Sequence, residues 1–208
     1  MIETGLFDNQ PPKIHELLAR CKVRGEALLE LIRDLLYINK REAGKVEKSI
    51  EPFDLKEVLT EQLEFYKVQA ESRKITVSLN ADEGSYKIKA DRSDLDRIFM
   101  NLISNGIKYN REGGTLSVHL GKEEGAIVVN VVDTGIGMNE DDIKNLFQEF
   151  FRVRNRQTSD VSGTGLGLAT VKRVLSEYNG KISVQSQPDR GSTFTVTFPQ
   201  ESTYQEIH

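Results

Sequence analysis

The sequence predicts an α+β protein: a mixed β-sheet covered on one face by helices and preceded by one long helix. Three observations predict it. Several short segments alternate apolar and polar residues with period two, as strands with one buried face do. Amphipathic segments of helical period fall mostly between pairs of these strands, which sets helices against a sheet. Ahead of them all, residues 13–48 carry a helical stripe without an internal proline.

In chain order, residues 1–12 read as a loop whose Pro11-Pro12 suits a helix start, where no backbone N–H is needed. Ile14, Leu18, Cys21, Gly25, Leu28, Ile32, Leu35 and Asn39 then step alternately by four and three, a heptad seam widened by Leu17, Leu31, Leu36 and Ile38. Burying one leucine is worth about 1.5–3 kcal/mol, so this stripe needs a cover. Either the chain's own globular part or a bundle between chains supplies it. The helix's length and its place outside the later core favour the bundle.

Gly44–Pro52 is charged and poor in apolar residues, a joint between helix and globular part. Asp54 reads as an N-cap with Glu57 at capping-box spacing, and Val58, Leu59, Leu63, Tyr66 and Ala70 form the inner face of the helix that follows. Ile75–Leu79 and Tyr86–Lys89 are strands, and Asp91 or Ser93 caps a helix running to about Lys108. Thr115–Leu120 and Ala126–Val132 form a hairpin across Gly121–Gly125. Glu140–Phe147 is a short helix. Arg152–Gly163 is polar and aperiodic, and Leu166–Tyr178 is an amphipathic helix ended by Asn179-Gly180. Ile182–Gln185 and Thr193–Phe198 close the pattern around a Pro188–Gly191 turn.

Composition narrows the function. The net charge of −4 gives no basic field for nucleic acid. No apolar run reaches a membrane span, no signal peptide opens the chain, and the single Cys21 excludes an internal disulfide and fits a reducing compartment. His15, His119 and His208 lie too far apart for a metal-site spacing, and no nucleophile sits in a Ser/His/Asp context.

Three patches carry chemistry. Asn101 and Asn105 sit one helical turn apart on one face, where asparagine is not favoured by propensity, and their amide oxygens suit a hard cation such as Mg²⁺. Lys108 and Tyr109 follow on the next turn, the lysine as a point charge for phosphate. Asp133 ends an apolar strand before Gly135 and Gly137. A carboxylate there either closes a plain turn or accepts the exocyclic amine of adenine, with the glycines letting backbone approach a flat base. Gly163-Thr164-Gly165-Leu166-Gly167 opens a helix and can cradle phosphate through backbone N–H groups and the helix dipole. It lacks the Gly-Lys-Ser/Thr ending of a P-loop, and Leu168 breaks the dinucleotide fingerprint. Of Arg152, Arg154 and Arg156, one arginine is placed to swing onto a terminal phosphate.

These patches resemble the sensor histidine kinases of bacterial two-component systems. Asn101–Asn110 resembles their asparagine box, Asp133–Gly137 the first glycine box, Leu146–Arg152 the phenylalanine box and Gly163–Leu168 the second glycine box, while Gly191-Ser-Thr-Phe fits the last strand. Order and spacing agree from Lys13 to Pro199. The resemblance implies a two-layer α/β sandwich shared with gyrase-like ATPases, binding ATP and Mg²⁺ under a mobile lid at about Arg152–Gly165. It implies that Asn105 holds Mg²⁺ beside Asn101, and that Lys108 and Arg152 meet phosphates. Tyr109 would flank the nucleotide, Asp133 bind the adenine amine, and Gly163–Gly167 wrap the phosphates, with Gly135, Gly137 and Thr193 completing the pocket. Asn105, Lys108 and Arg152 would then serve phosphoryl transfer.

By the same resemblance, residues 1–50 are the second helix of a dimerisation domain, 51–200 the catalytic domain and 201–208 a tail. The implied partners are a second copy through the N-terminal helix, a response regulator receiver domain and a phosphoacceptor helix missing from this chain. The implied setting is cytoplasmic, with a membrane anchor in the full-length protein an open option. Two departures matter. Gyrase-like ATPases carry a water-activating glutamate where Asn101 stands, so rapid hydrolysis is not expected. His15-Glu16-Leu17 imitates the start of a phosphoacceptor box, but Leu18-Ala19 and the missing proline break it, so His15 is not taken as the acceptor. The expected function is transfer of the ATP γ-phosphate to a histidine outside this chain; the alternative is a nucleotide-gated dimer that signals without transfer.

Overall fold

The computed structural model describes residues 48–153, Thr158 and residues 163–199, with Leu17, Leu18, Cys21, Gly25, Leu28 and Ile32 ahead of them. Those six are helical, but the long helix expected over residues 13–48 lies mostly outside the described residues, as do His15, Arg154, Arg156 and the tail. Leu17, Leu28 and Ile32 are 60%, 57% and 44% exposed, so their stripe has no cover among the described residues.

Five strands form a mixed sheet: β2 (Thr76–Ala81), β4 (Thr115–Glu123), β5 (Ala126–Asp133), β6 (Lys181–Gln187) and β7 (Gly191–Pro199), in the order β2-β4-β5-β7-β6. β2 runs parallel to β4 and the other pairs are antiparallel. Helices α1 (Leu55–Ser72), α2 (Arg92–Lys108) and α4 (Gly167–Ser176) cover one face. Their buried side chains, among them Leu59, Phe99, Ile103 and Val171, pack on Val118, Val129, Val131, Val196 and Phe198. The other face is polar: Ser78 bonds Ser117, and Thr195 donates to Asn130. His119 lies exposed in that row, away from the helices. Helix α3 (Glu140–Asn145) is shorter than expected and is capped by Asn139.

One strand escaped the sequence reading. Ile50–Asp54, which overlaps the expected joint over residues 50–52, is β1 and pairs antiparallel with β3 (Lys87–Asp91) in a separate two-stranded sheet. Pro52 hides it, because proline is tolerated in a strand only where no ladder N–H is required, as at an edge. The aspartates behave as caps. Asp54 accepts from the Lys56 N–H at 2.9 Å, and Asp91 from the Ser93 N–H at 2.8 Å. The Asp91 carboxylate also accepts from the Ser49 N–H, which ties the joint to the start of α2. Beside it, Lys48 bridges Asp94 at 2.8 Å and Glu177 at 2.5 Å, and the Tyr178 hydroxyl donates to Asp94.

Candidate functional site: a cleft between helix α2 and helix α4

The helix pattern that buries Ile98, Leu102 and Ile103 on the core leaves Asn101, Ser104, Asn105 and Lys108 on an adjoining face. That face forms one wall of a cleft. Gly163–Gly165 and the start of α4 form the facing wall, and Asp133, Ser192 and Phe194 form the floor. Ile136, Met138, Leu146, Phe151 and Leu168 add an apolar lining of the kind a flat ring packs against.

Asn101 and Asn105 differ. The Asn101 amide donates to the Arg97 carbonyl at 2.7 Å, and its oxygen lies against Gly167, where a Cβ would approach it to 2.2 Å. Only glycine permits that contact between α2 and α4. Asn105, half-buried in the cleft wall, makes no side-chain hydrogen bond to a described residue, which leaves its oxygen available to a ligand. Tyr109 caps α2 with its N–H on the Asn105 carbonyl, and its own carbonyl accepts from the Ile136 N–H at 3.1 Å. Its hydroxyl lies 4.0 Å from where a Cβ on Gly163 would stand, so the ring reaches across to the glycine wall.

Asp133 is the last residue of β5 and only 7% exposed. Its Oδ1 accepts from the Gly135 N–H at 2.8 Å. Burial pushes its carboxyl up to about 6, against the Gly135 and Ser192 backbone N–H groups, which favour the ionised form. A buried carboxylate with a raised proton affinity, lining a cleft, makes Asp133 a functional-site candidate. Gly135 is required by this chain's own backbone rather than by a ligand, because a Cβ there would stand 2.2 Å from the Tyr109 carbonyl oxygen.

Helix α4 begins without a side-chain cap: Leu166 occupies the N-cap position and offers no side-chain hydrogen bond. The first-turn N–H groups therefore lack the partner that Ser, Asp or Asn supplies elsewhere. Such an end attracts an anion. Arg152 also lines the cleft, and Thr158 closes onto the Val153 carbonyl at 2.8 Å.

The cleft thus gathers Asn101, Asn105, Lys108, Tyr109, Asp133, Gly137, Arg152, Gly163, Thr164, Gly165 and Gly167. It does not gather Gly135, Leu166 or Thr193. Leu166 is buried in the core, and Thr193 is half-buried on the polar sheet face. The residues of β7 that reach the cleft are Ser192 and Phe194, with Ser192 paired to Asp133 across the strands. Strand alternation carried the signal, since Ser192 shares the face of Phe194 and Thr193 does not. The apolar residues Ile136, Met138 and Leu168 were also missed.

Residues 90–202 match the family described as Histidine kinase-, DNA gyrase B-, and HSP90-like ATPase. The chain is similar to the sensor-like histidine kinase SenX3 of Mycolicibacterium smegmatis, with 31% identity over 92% of this chain and 50% of SenX3. Among solved structures it resembles ShkA in complex with AMPPNP, with a TM-score of 0.74 at 23% identity, covering 96% of this chain and 41% of that one. It also resembles the histidine kinase ThkA in complex with the response regulator protein TrrA, with a TM-score of 0.73 at 19% identity, covering 93% and 53%. The chain spans half the length of SenX3 or less of the other curated relatives it matches.

Proposed function

The chain belongs to the Histidine kinase-, DNA gyrase B-, and HSP90-like ATPase family, and from that premise we propose that its cleft binds Mg-ATP and presents the γ-phosphate to a histidine on another helix. One observation supports this most: a buried carboxylate, a pair of asparagines, an uncapped helix start and an apolar lining belong to one cleft. Asp133, ionised, accepts the adenine amine, with Ser192 beside it. The base lies among Ile136, Met138, Leu146 and Leu168. Lys108, Arg152 and the N–H groups of Gly163–Gly167 receive the phosphates.

The residues present fit a magnesium ion. Asn105 has an amide oxygen with no described partner, and Asn101 stands one turn away. Asn105 would hold the metal, which supplies neutralisation of phosphate charge when bound. Asn101 cannot activate water. It is a neutral amide, its N–H on the Arg97 carbonyl, with no basic group to take a proton from water, so at this position no carboxylate activates water against the γ-phosphate. The acceptor histidine is not found in the cleft: His119, the one histidine among the described residues, lies on the polar sheet face. We assign the acceptor to a helix outside the described residues, of this protein or of a second copy.

The proposed partners are a second copy meeting the exposed stripe of Leu17, Leu28 and Ile32, and a response regulator receiver domain, the setting in which ThkA was crystallised. No helix among the described residues is long and apolar enough to cross a membrane. A cytoplasmic location is part of the proposal. Incubation with γ-labelled ATP, with and without an added acceptor helix carrying a His-Glu pair, tests the function. Acid-labile label on the added histidine is expected. ATP binding without transfer would favour the non-catalytic reading, and label on His15 would place the acceptor within this chain.

A further inference from the structure

Arg73 lies outside the cleft, at the turn that ends α1. Its guanidinium donates to the carbonyls of Ile107, of Lys108 at 2.8 Å and of Asn110 at 2.8 Å. These carbonyls end α2, where helical hydrogen bonding runs out and the helix dipole favours a cation. The Arg73 carbonyl accepts in turn from the Gly113 N–H at 3.1 Å. The same turn is held by further bonds. The Tyr109 carbonyl takes the Ile136 N–H, and the buried Asn110 amide donates to the Gly106 and Thr115 carbonyls, both at 2.9 Å. The backbone of 107–110 is therefore clamped from two directions, and Lys108 and Tyr109 enter the cleft from inside that clamp.

We propose that Arg73 is a positioning residue for nucleotide binding: it fixes the last turn of α2 and thereby aims Lys108 at the bound phosphates. This rests on the reading of the cleft as a nucleotide site. The planar fork is the essential property. Arginine reaches three carbonyls at fixed angles, whereas a lysine ammonium has no fork with which to set their relative directions. A small rotation of this turn moves the tip of a lysine much further than its backbone.

The test compares Arg73→Met, Arg73→Lys, Lys108→Ala and the double variant Arg73→Met/Lys108→Ala. ATP affinity is measured by calorimetry, adenosine by competition, and folding by thermal melting. Arg73→Met is expected to weaken ATP about tenfold and adenosine less than threefold. Lys108→Ala is expected to weaken ATP by a similar factor, and the double variant no more than about twofold beyond Lys108→Ala, because both act through one contact. Arg73→Lys keeps the charge at the helix end and serves if the methionine variant does not fold; a near-native melting temperature with about threefold weaker ATP is expected. Equal losses for ATP and adenosine, full additivity with Lys108→Ala, or unchanged ATP affinity in Arg73→Lys would overturn the inference and show a structural role alone. If Lys108→Ala itself leaves ATP affinity unchanged, the reading of the cleft fails first and takes the inference with it.

Discussion

Replacing Asp133 by Asn should make the protein more stable and worse at binding ATP. The carboxyl titrates at about 6 in the folded protein against an ordinary value of 3.8, and burial is the main cause. The folded state therefore holds this proton more tightly than the unfolded chain does. Stability attributable to Asp133 falls as pH rises from 3.8 through 6, and the penalty is complete above that range. At about 1.36 kcal/mol per tenfold change in proton affinity it reaches about 3 kcal/mol at pH 7. An asparagine carries no such penalty. It has one acceptor oxygen where the carboxylate has two, facing the N–H groups of Gly135 and Ser192, so about 1 kcal/mol is returned. The net gain is about 2 kcal/mol, or a melting temperature raised by about 4–8 °C for a chain of this size. Calorimetric melting at pH 7 and pH 5 reads it, and the gain should shrink by about 1 kcal/mol at pH 5, where the wild-type carboxyl is largely protonated. ATP affinity at pH 7 should fall by about tenfold or more, with adenine nucleotides losing ground to guanine ones. A variant less stable than the wild type at pH 7, or a gain independent of pH, would refute the assignment of Asp133 as a buried carboxylate held against its own solvation.

Three further outcomes follow from the geometry. Asn105→Ala should abolish the Mg²⁺-dependent part of ATP binding in calorimetry while shifting the melting temperature little, since the side chain bonds no described residue. Lys48→Met should cost about 3–5 kcal/mol in urea unfolding, because it leaves the buried Asp94 carboxylate beside Glu177 without its cation; adding Asp94→Asn should recover part of the loss. Gly135→Ala should lower both stability and ATP affinity, as its Cβ would collide with the Tyr109 carbonyl, and an unchanged melting curve would show that this turn yields.

Most of the secondary structure was legible because local signals agreed. Asp54 and Asp91 cap helix starts as their chemistry requires, and strand alternation separates the core residues Leu116 and Val118 from the polar Ser117 and His119, whereas the last helix stops at Ser176, ahead of the Asn179-Gly180 signal. The Asn101/Asn105 face was legible as a cleft wall for a different reason: two asparagines in an otherwise apolar helix run against propensity, and both line the cleft. Four things were not. Strand β1 is set by pairing with β3, which no local pattern in Ile50–Asp54 reveals. Ser192 was displaced by Thr193 because a motif was read without applying the period of two. Arg73 resembles any surface arginine in sequence, since the carbonyls it binds lie 34 to 37 residues away. Gly135 was read as making room for a base, whereas it makes room for Tyr109.

The central claim is tested most directly by crystallising the protein with Mg²⁺ and AMPPNP and locating the nucleotide. The adenine amine is expected within hydrogen-bond distance of the Asp133 carboxylate, with the metal on Asn105 and the phosphates against Gly163–Gly167. Nucleotide bound elsewhere, or a cleft that stays empty at saturating ligand, would contradict the account.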